Sequence, residues 1–182
     1  ISIYISNGTD AALGALVVIA NANSSRLHST ADVRGQWTHV AIARESGTIR
    51  FFVNGSLASS ASDTTNYNAT GPTRVGVSST GQSNYWLGYV ADARFVKGTA
   101  VYTAAFTPPT APLSSSGTSL HIKGTDASIV DKSQVSNNLK LVGNTTGSTT
   151  QIKYGNSSIY FDGTGDAVTA SSSNFAFGTG DF

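Results

Sequence analysis

Acidic residues are the first place to look for chemistry in this chain, because it has so few of them. The 182 residues include ten Asp and Glu, and Glu45 is the lone Glu. Glycoside hydrolysis needs two carboxylates, roughly 5 Å apart in retaining enzymes and further apart in inverting ones. Glu45 stands in a turn, Glu45-Ser46-Gly47, and Asp162 and Asp166 are four apart with glycines between them. Neither arrangement makes an acid–base pair, so catalysis of this kind is not expected. Asp162 and Asp166 suit a hard cation better. Calcium takes carboxylate and backbone oxygens from loops, and these two residues, with Asp181 further on, cluster around Gly turns. They are the candidate metal ligands, with calcium as the candidate ion. The competing explanation is that each Asp caps its own turn through the backbone.

Other chemistries are poorly served. The chain has three His (His28, His39 and His121) and no Cys, which excludes disulfides and thiolate metal sites. His39 alternates with Trp37 and Ala41 and so should face a packed layer as a hydrogen-bonded sheet residue. Ser and Thr are too abundant for any one of them to stand out, and there is no G-x-S-x-G elbow. Asp92 and Arg94 are two apart on one strand, share a face, and could pair with Arg44 or Arg50 on a neighbouring strand. Carbohydrate recognition would use aromatic platforms beside polar groups. The candidates are Tyr67, Tyr85, Trp86 and Tyr102, with core packing as the competing role for Trp86.

The elements that must position these residues are strands. Val, Ile, Thr and aromatic residues are common, and strong helix formers are scarce. Charged residues are 12% of the chain, about half the usual share, and the net charge is +1. No basic cluster offers a footprint for nucleic acid, and no apolar run is long enough to span a membrane as a helix. Period-2 runs separated by turn signals recur about every ten residues. Ala15 to Ala20 is a wholly apolar run, as in a strand covered on both faces. Trp37 to Arg44, the Glu45-Ser46-Gly47 turn, Thr48 to Val53 and the Asn54-Gly55 turn form the clearest hairpin. Tyr85 to Val96 reads as a long strand broken at Gly88, and 59–72 as a polar loop. Val101 to Leu113, with Pro108-Pro109 and Pro112, cannot lie inside a sheet. Short strands come next at 120–122, 139–142, 158–161, 167–169 and 175–177. The fold class is therefore all-β, an antiparallel sandwich or jelly roll.

Several runs resemble one family. Gly35-Gln36-Trp37-Thr38-His39-Val40-Ala41 followed by Ile49 to Gly55 resembles the "W-x-H-V-A … L-Y-V-N-G" hairpin of laminin-G-like domains, in the concanavalin-A-like lectin/glucanase superfamily. Tyr85 to Phe95 resembles that family's "F-x-G-x-I-D-D-x-R" strand. Ser158 to Val168 resembles its opening "L-x-F-D-G-x-G-D-Y-V", and Gly178 to Phe182 resembles the "G-T-G-D-F" run next to it. Here the opening motif comes after the hairpin. The resemblance therefore implies residues 1–113 as the back of one laminin-G-like unit, 114–118 as a linker, and 119–182 as the front of the next unit, or of the same sandwich in permuted order. Lys123 stands where the family's "L-L-H-F-D-G" strand has its Asp, and Ala167 replaces an aromatic. The E-x-D-x-x-E run of the superfamily's glucanases is absent.

Ala104 to Pro109 and the "G-T-G-D-F" run resemble the versions of this domain found in bacteriophage virions and bacterial surface proteins. That resemblance implies a non-catalytic structural and adhesion module of a virion or extracellular surface. Its partners would be other copies or neighbouring repeats, and surface glycans. Strand addition to a neighbouring copy at the Phe182 end is expected if the sheet there is open. A calcium-dependent lectin-like module is the alternative, and a glycoside hydrolase the weakest reading.

Overall fold

The computed structural model describes residues 2–5, 8, 11–20, 25–68, 71–77, 84–171 and 175–182. Packing divides the chain into two compact units that are interleaved in sequence. One comprises Ile1–Tyr67, Gly98–Pro108 and Phe177–Phe182, and the other Asn68–Lys97 and Pro109–Ala176. This division follows contacts, and it does not run along the 114–118 segment.

The first unit holds two antiparallel sheets. One has the order β1 (Ser2–Ile5), β2 (Leu16–Ala20), β3 (Ser25–His28). The other has the order β4 (Val40–Glu45), β5 (Thr48–Val53), β6 (Ser56–Ser62). Leu16, Val18 and Leu27 from the first sheet meet Ile49 and Phe51 from the second, with Val33 and Phe182 completing the core. Burying each such side chain contributes about 1.5–3 kcal/mol. Ala15, Leu16, Val17 and Val18 are all essentially inaccessible, as expected of a strand covered on both faces. Both hairpin turns form as the sequence implies. Ser46-Gly47 and Asn54-Gly55 occupy positive φ and join strands whose flanking residues pair directly, Glu45 with Thr48 and Val53 with Ser56. Such two-residue turns match the right-handed twist of the strands.

Strand β5 departs from simple alternation. A register shift between Phe51 and Phe52 interrupts its pairing with β6, and both residues are buried. Phe52 meets the Phe106 ring edge-on at 5.5 Å, so the 98–108 segment covers the face that Phe51 does not use. Phe106 N–H donates to Gly55 O at 3.0 Å. A Cβ on Gly55 would lie 1.9 Å from Phe106 O, which is why this turn needs glycine twice over, for its φ and for the close approach.

The second unit holds three antiparallel sheets. Their strands are β7 (Thr73–Val75), β8 (Leu87–Val90), β9 (Asp92–Phe95), β10 (Leu120–Gly124), β11 (Ile129–Asp131), β12 (Leu139–Val142), β13 (Thr146–Ser148), β14 (Ser158–Asp162) and β15 (Ala167–Ala170). The sheet orders are β11-β10-β9, β12-β15-β7 and β13-β14-β8. Leu120, Ile122, Ile129, Ile159, Phe161, Val168, Ala170 and Phe175 form the core. The architecture is all-β and antiparallel, that of a β-sandwich of jelly-roll type.

The differences from the sequence reading are local. The 85–96 run breaks at Ala91, not Gly88, and Gly88 stays inside β8 opposite Phe161. Strand β6 extends into the stretch read as a loop from residue 59. Residues 175–177 form no strand; instead Gly178 makes an isolated bridge to Tyr67. The Phe182 backbone, expected to reach for a neighbouring copy, is paired within the chain. Arg44 N–H donates to Phe182 O at 2.8 Å and Phe182 N–H donates to Arg44 O at 3.1 Å. Among the described residues, no helix is long and apolar enough to cross a membrane.

Candidate functional site

The four aromatic candidates fall in three places. In the first unit, Tyr102 stacks on Phe106 with ring centroids 3.6 Å apart, and His39 stands edge-on to both rings. His39 thus meets a packed layer as expected, but it precedes β4, which begins at Val40, and is not a residue of the sheet. Tyr67 lies elsewhere in the same unit: its hydroxyl donates to Asp63 Oδ2 at 2.7 Å and its ring is edge-on to Phe182. In the second unit, Tyr85 and Trp86 precede β8. Trp86 is half-buried and packs against the core, and its backbone N–H donates to Gly76 O. Tyr67 and Tyr102 thus belong to different local clusters, and Trp86 is drawn toward the interior.

Tyr67 is part of a buried polar knot around Arg44. Strand β4 carries Arg44 inward, where it is 1% exposed. Its guanidinium donates to Thr65 O at 2.7 Å, Gly178 O at 2.9 Å and Gly180 O at 2.5 Å. Asp63 lies 3.6 Å away as its counter-charge. The Tyr67 and Phe182 rings each lie 4.9 Å from the guanidinium carbon. A buried charge is tolerable only when paired and hydrogen-bonded in this way. Burial works to raise the Asp63 carboxyl, but hydrogen bonds from Thr65 and Tyr67 and the Arg44 charge outweigh it and hold it low. Burial first, then the bond to Asp63, pushes the Tyr67 phenol up. The expected pairing of Asp92 with Arg44 or Arg50 is corrected here. Arg44 takes Asp63, and Arg50 lies 3.5 Å from Glu45.

Asp92 has a different partner in the second unit, one the sequence reading missed. It lies on β9 opposite β10, and its Oδ1 is hydrogen-bonded to His121 Nε2. The other ring nitrogen, Nδ1, is 2.8 Å from Ser115 Oγ. Asp92 Oδ2 accepts the Leu113 N–H at 2.9 Å. Asp131 Oδ1 accepts the His121 backbone N–H, and the Asp131 carboxylate also takes Ser133 and Asn137. Burial tends to raise the Asp131 carboxyl, and these hydrogen bonds prevail and lower it. Ser115, His121 and Asp92 have the connectivity of a serine triad, but the ring is 1% exposed and the carboxylate holds Nε2. The arrangement straps the Pro-rich segment down to β9 and β10. The Leu120-His121-Ile122 alternation gives no sign of this burial, because it sets His121 on the face opposite its apolar neighbours.

The two candidate metal ligands share one turn. Asp166 is fully buried, and its oxygens accept the N–H groups of Asn144 and Asp162 at 2.8 and 2.9 Å. Asp162 Oδ1 accepts the Thr164 N–H at 2.7 Å. Both carboxylates therefore cap the β14–β15 turn. Among the described residues, no group of three or more His, Asp or Glu is placed to hold a metal ion. Asp181 accepts the Ser46 N–H, and Asp32 pairs with Arg34, whose hydrogen bonds lower the Asp32 carboxyl to about 2.

A family model described as the concanavalin A-like lectin/glucanases superfamily, of laminin G type, matches residues 2–108. The match spans more than half of the chain. The chain belongs to this superfamily. The match takes in the W-x-H-V-A hairpin, the Arg44 strand and the Asp92 strand, so the family pattern falls on elements of both packing units. A concanavalin A-like domain of this kind serves, in general terms, as a carbohydrate-binding or structural module. Comparison with curated proteins and with solved structures returned no match.

Proposed function

We propose that this concanavalin A-like domain is a non-catalytic structural and adhesion module of a virion or extracellular surface, assembling with other copies of itself and contacting surface glycans. The observation that carries the reading is how its carboxylates are used. Asp32, Glu45, Asp63, Asp92, Asp131, Asp162, Asp166 and Asp181 are each engaged by a cation, an N–H group or a ring nitrogen of the same chain. Glycoside hydrolysis asks for two acids facing one sugar, whereas these acids hold turns and segments in place. The low charge and hydroxyl-rich surface suit a body that works by contact.

The test takes the intact chain to a glycan array, with and without calcium, and to sedimentation at high concentration. Glycan binding without cleavage, together with self-association burying on the order of 1,000 Å² or more, is the expected pattern. A monomer that binds no glycan, or one that releases reducing ends, overturns the reading. Binding lost on chelation would favour the calcium-dependent lectin.

A further inference from the structure

Asp126 stands apart from the other acids. It is the one acid among the described residues whose carboxylate has no hydrogen-bond or ion-pair partner. It projects from the turn between β10 and β11, an exposed position, and that turn forms one wall of an open groove of about 490 Å³. The opposite wall is the 155–157 segment that leads into β14. Lys123, which stands where the related motif has an acid, lines the same groove, and so does Asn156. The Lys123 ammonium and the Asn156 amide are likewise unpartnered within the chain. The groove therefore gathers three polar side chains whose hydrogen-bonding capacity the fold leaves unused.

The walls themselves are fixed. Thr125 N–H and its hydroxyl both donate to Ser128 O, and Ser128 N–H donates to Thr125 Oγ1. A Cβ on Gly124 would lie 2.5 Å from Ser158 O, so the base of the first wall lies directly against the backbone at the start of β14. Gly155 has a φ of +69°, and the Lys123 Nζ lies 4.0 Å from where its Cβ would be. A groove whose backbone is already held in place loses less order on binding than a mobile loop would.

The geometry points to this groove as a binding site for one uncharged, hydroxyl-rich sugar residue. This rests on the glycan-contact reading above. The volume lies within the range of small-molecule sites. Lys123 and the Asn156 amide donate, while Asp126 and the Asn156 carbonyl accept, which matches neighbouring hydroxyls that each give and take a hydrogen bond. One cation and one carboxylate leave no net charge to attract an acidic sugar, and Asp126 repels a sugar carboxylate. No aromatic lines the groove, so recognition here is by hydrogen bonding and not by stacking.

The test is titration of the isotopically labelled intact chain with glucose, galactose, mannose and N-acetylglucosamine, with sialic acid and glucuronic acid as acidic comparators. At least one neutral sugar should shift the amides of Thr125, Asp126, Gly155 and Asn156. Asp126→Ala and Asn156→Ala should each weaken binding about tenfold or more, as loss of a charge-assisted or paired hydrogen bond does. Both positions are exposed, and an unchanged melting temperature confirms that each variant is folded. Shifts confined to the surroundings of Tyr102 or Trp86, or full binding by both variants, overturn the groove while leaving glycan contact standing. Absence of binding by any sugar on the panel and by every glycan of the array overturns both. A preference for the acidic sugars overturns the proposed ligand class.

Discussion

Arg44 and Phe182 exchange two backbone hydrogen bonds, at 2.8 and 3.1 Å, across 138 residues of chain, while the Arg44 side chain holds the carbonyls of Gly178 and Gly180 and the Phe182 ring lies against its guanidinium. One buried side chain on β4 thus anchors the whole 177–182 segment to the first unit. Replacing Arg44 with Met removes the cation and leaves Asp63 without its counter-charge and three carbonyls without their donor. Breaking a buried pair by removing one partner costs about 3–5 kcal/mol. A urea-unfolding midpoint should show a loss of that size, and Arg44→Lys should recover only part of it because an ammonium cannot reach all three carbonyls.

The Gly55 turn predicts a second outcome. Its φ of +79° and the 1.9 Å approach of Phe106 O to a Cβ mean that Gly55→Ala must both strain the turn and push the 98–108 segment off β5. A loss of about 1–3 kcal/mol, read from thermal unfolding, should be accompanied by greater solvent exposure of Phe106. An equivalent change at Gly35, where a Cβ meets nothing, should not displace any segment.

The strap on the second unit predicts a third. His121→Ala should cost about 1–3 kcal/mol by leaving Asp92 without its ring partner, and should speed proteolysis around Leu113 to Ser116. Ser115→Ala removes only the outer bond and should cost less. Ester hydrolysis by the wild-type chain that is abolished by Ser115→Ala would show instead that the array is catalytic.

The carboxyls predict the pH dependence. Asp63 and Asp131 hold protons more weakly in the folded than in the unfolded chain. Their contribution to stability is therefore complete above the unfolded carboxylate value of about 3.9 and is lost as pH falls through their lower folded values. Stability measured from pH 6 downward should decline below about pH 4. Asp131→Asn should make that decline shallower.

The sheets were legible because their signals are local. Ser46-Gly47 and Asn54-Gly55 are turn pairs bounded by apolar alternation, and β2 is an unbroken apolar run. Strands β6 and β13 were not legible because Ser, Thr and Gly carry little pattern, and β3 and β11 because three or four residues are too few to show alternation. The same reason hid the polar constellations. Arg44 gathers residues 63, 65, 178 and 180, and His121 gathers 92 and 115, so neither has a signature within any short window. The Asp162–Asp166 turn was visible as a cluster, but whether its oxygens face backbone amides depends on where Asn144 comes to lie. Asp126 resembles any loop Asp until the other acids are seen to be engaged.

A domain that works by contact and not by turnover should hold a glycan and leave it intact. The most direct measurement is saturation-transfer NMR of the intact chain with a neutral oligosaccharide chosen from the array, monitored over a day. Transfer to the sugar protons with unchanged anomeric signals is the predicted result. New reducing-end anomeric signals, or no transfer from any glycan tried, would contradict it.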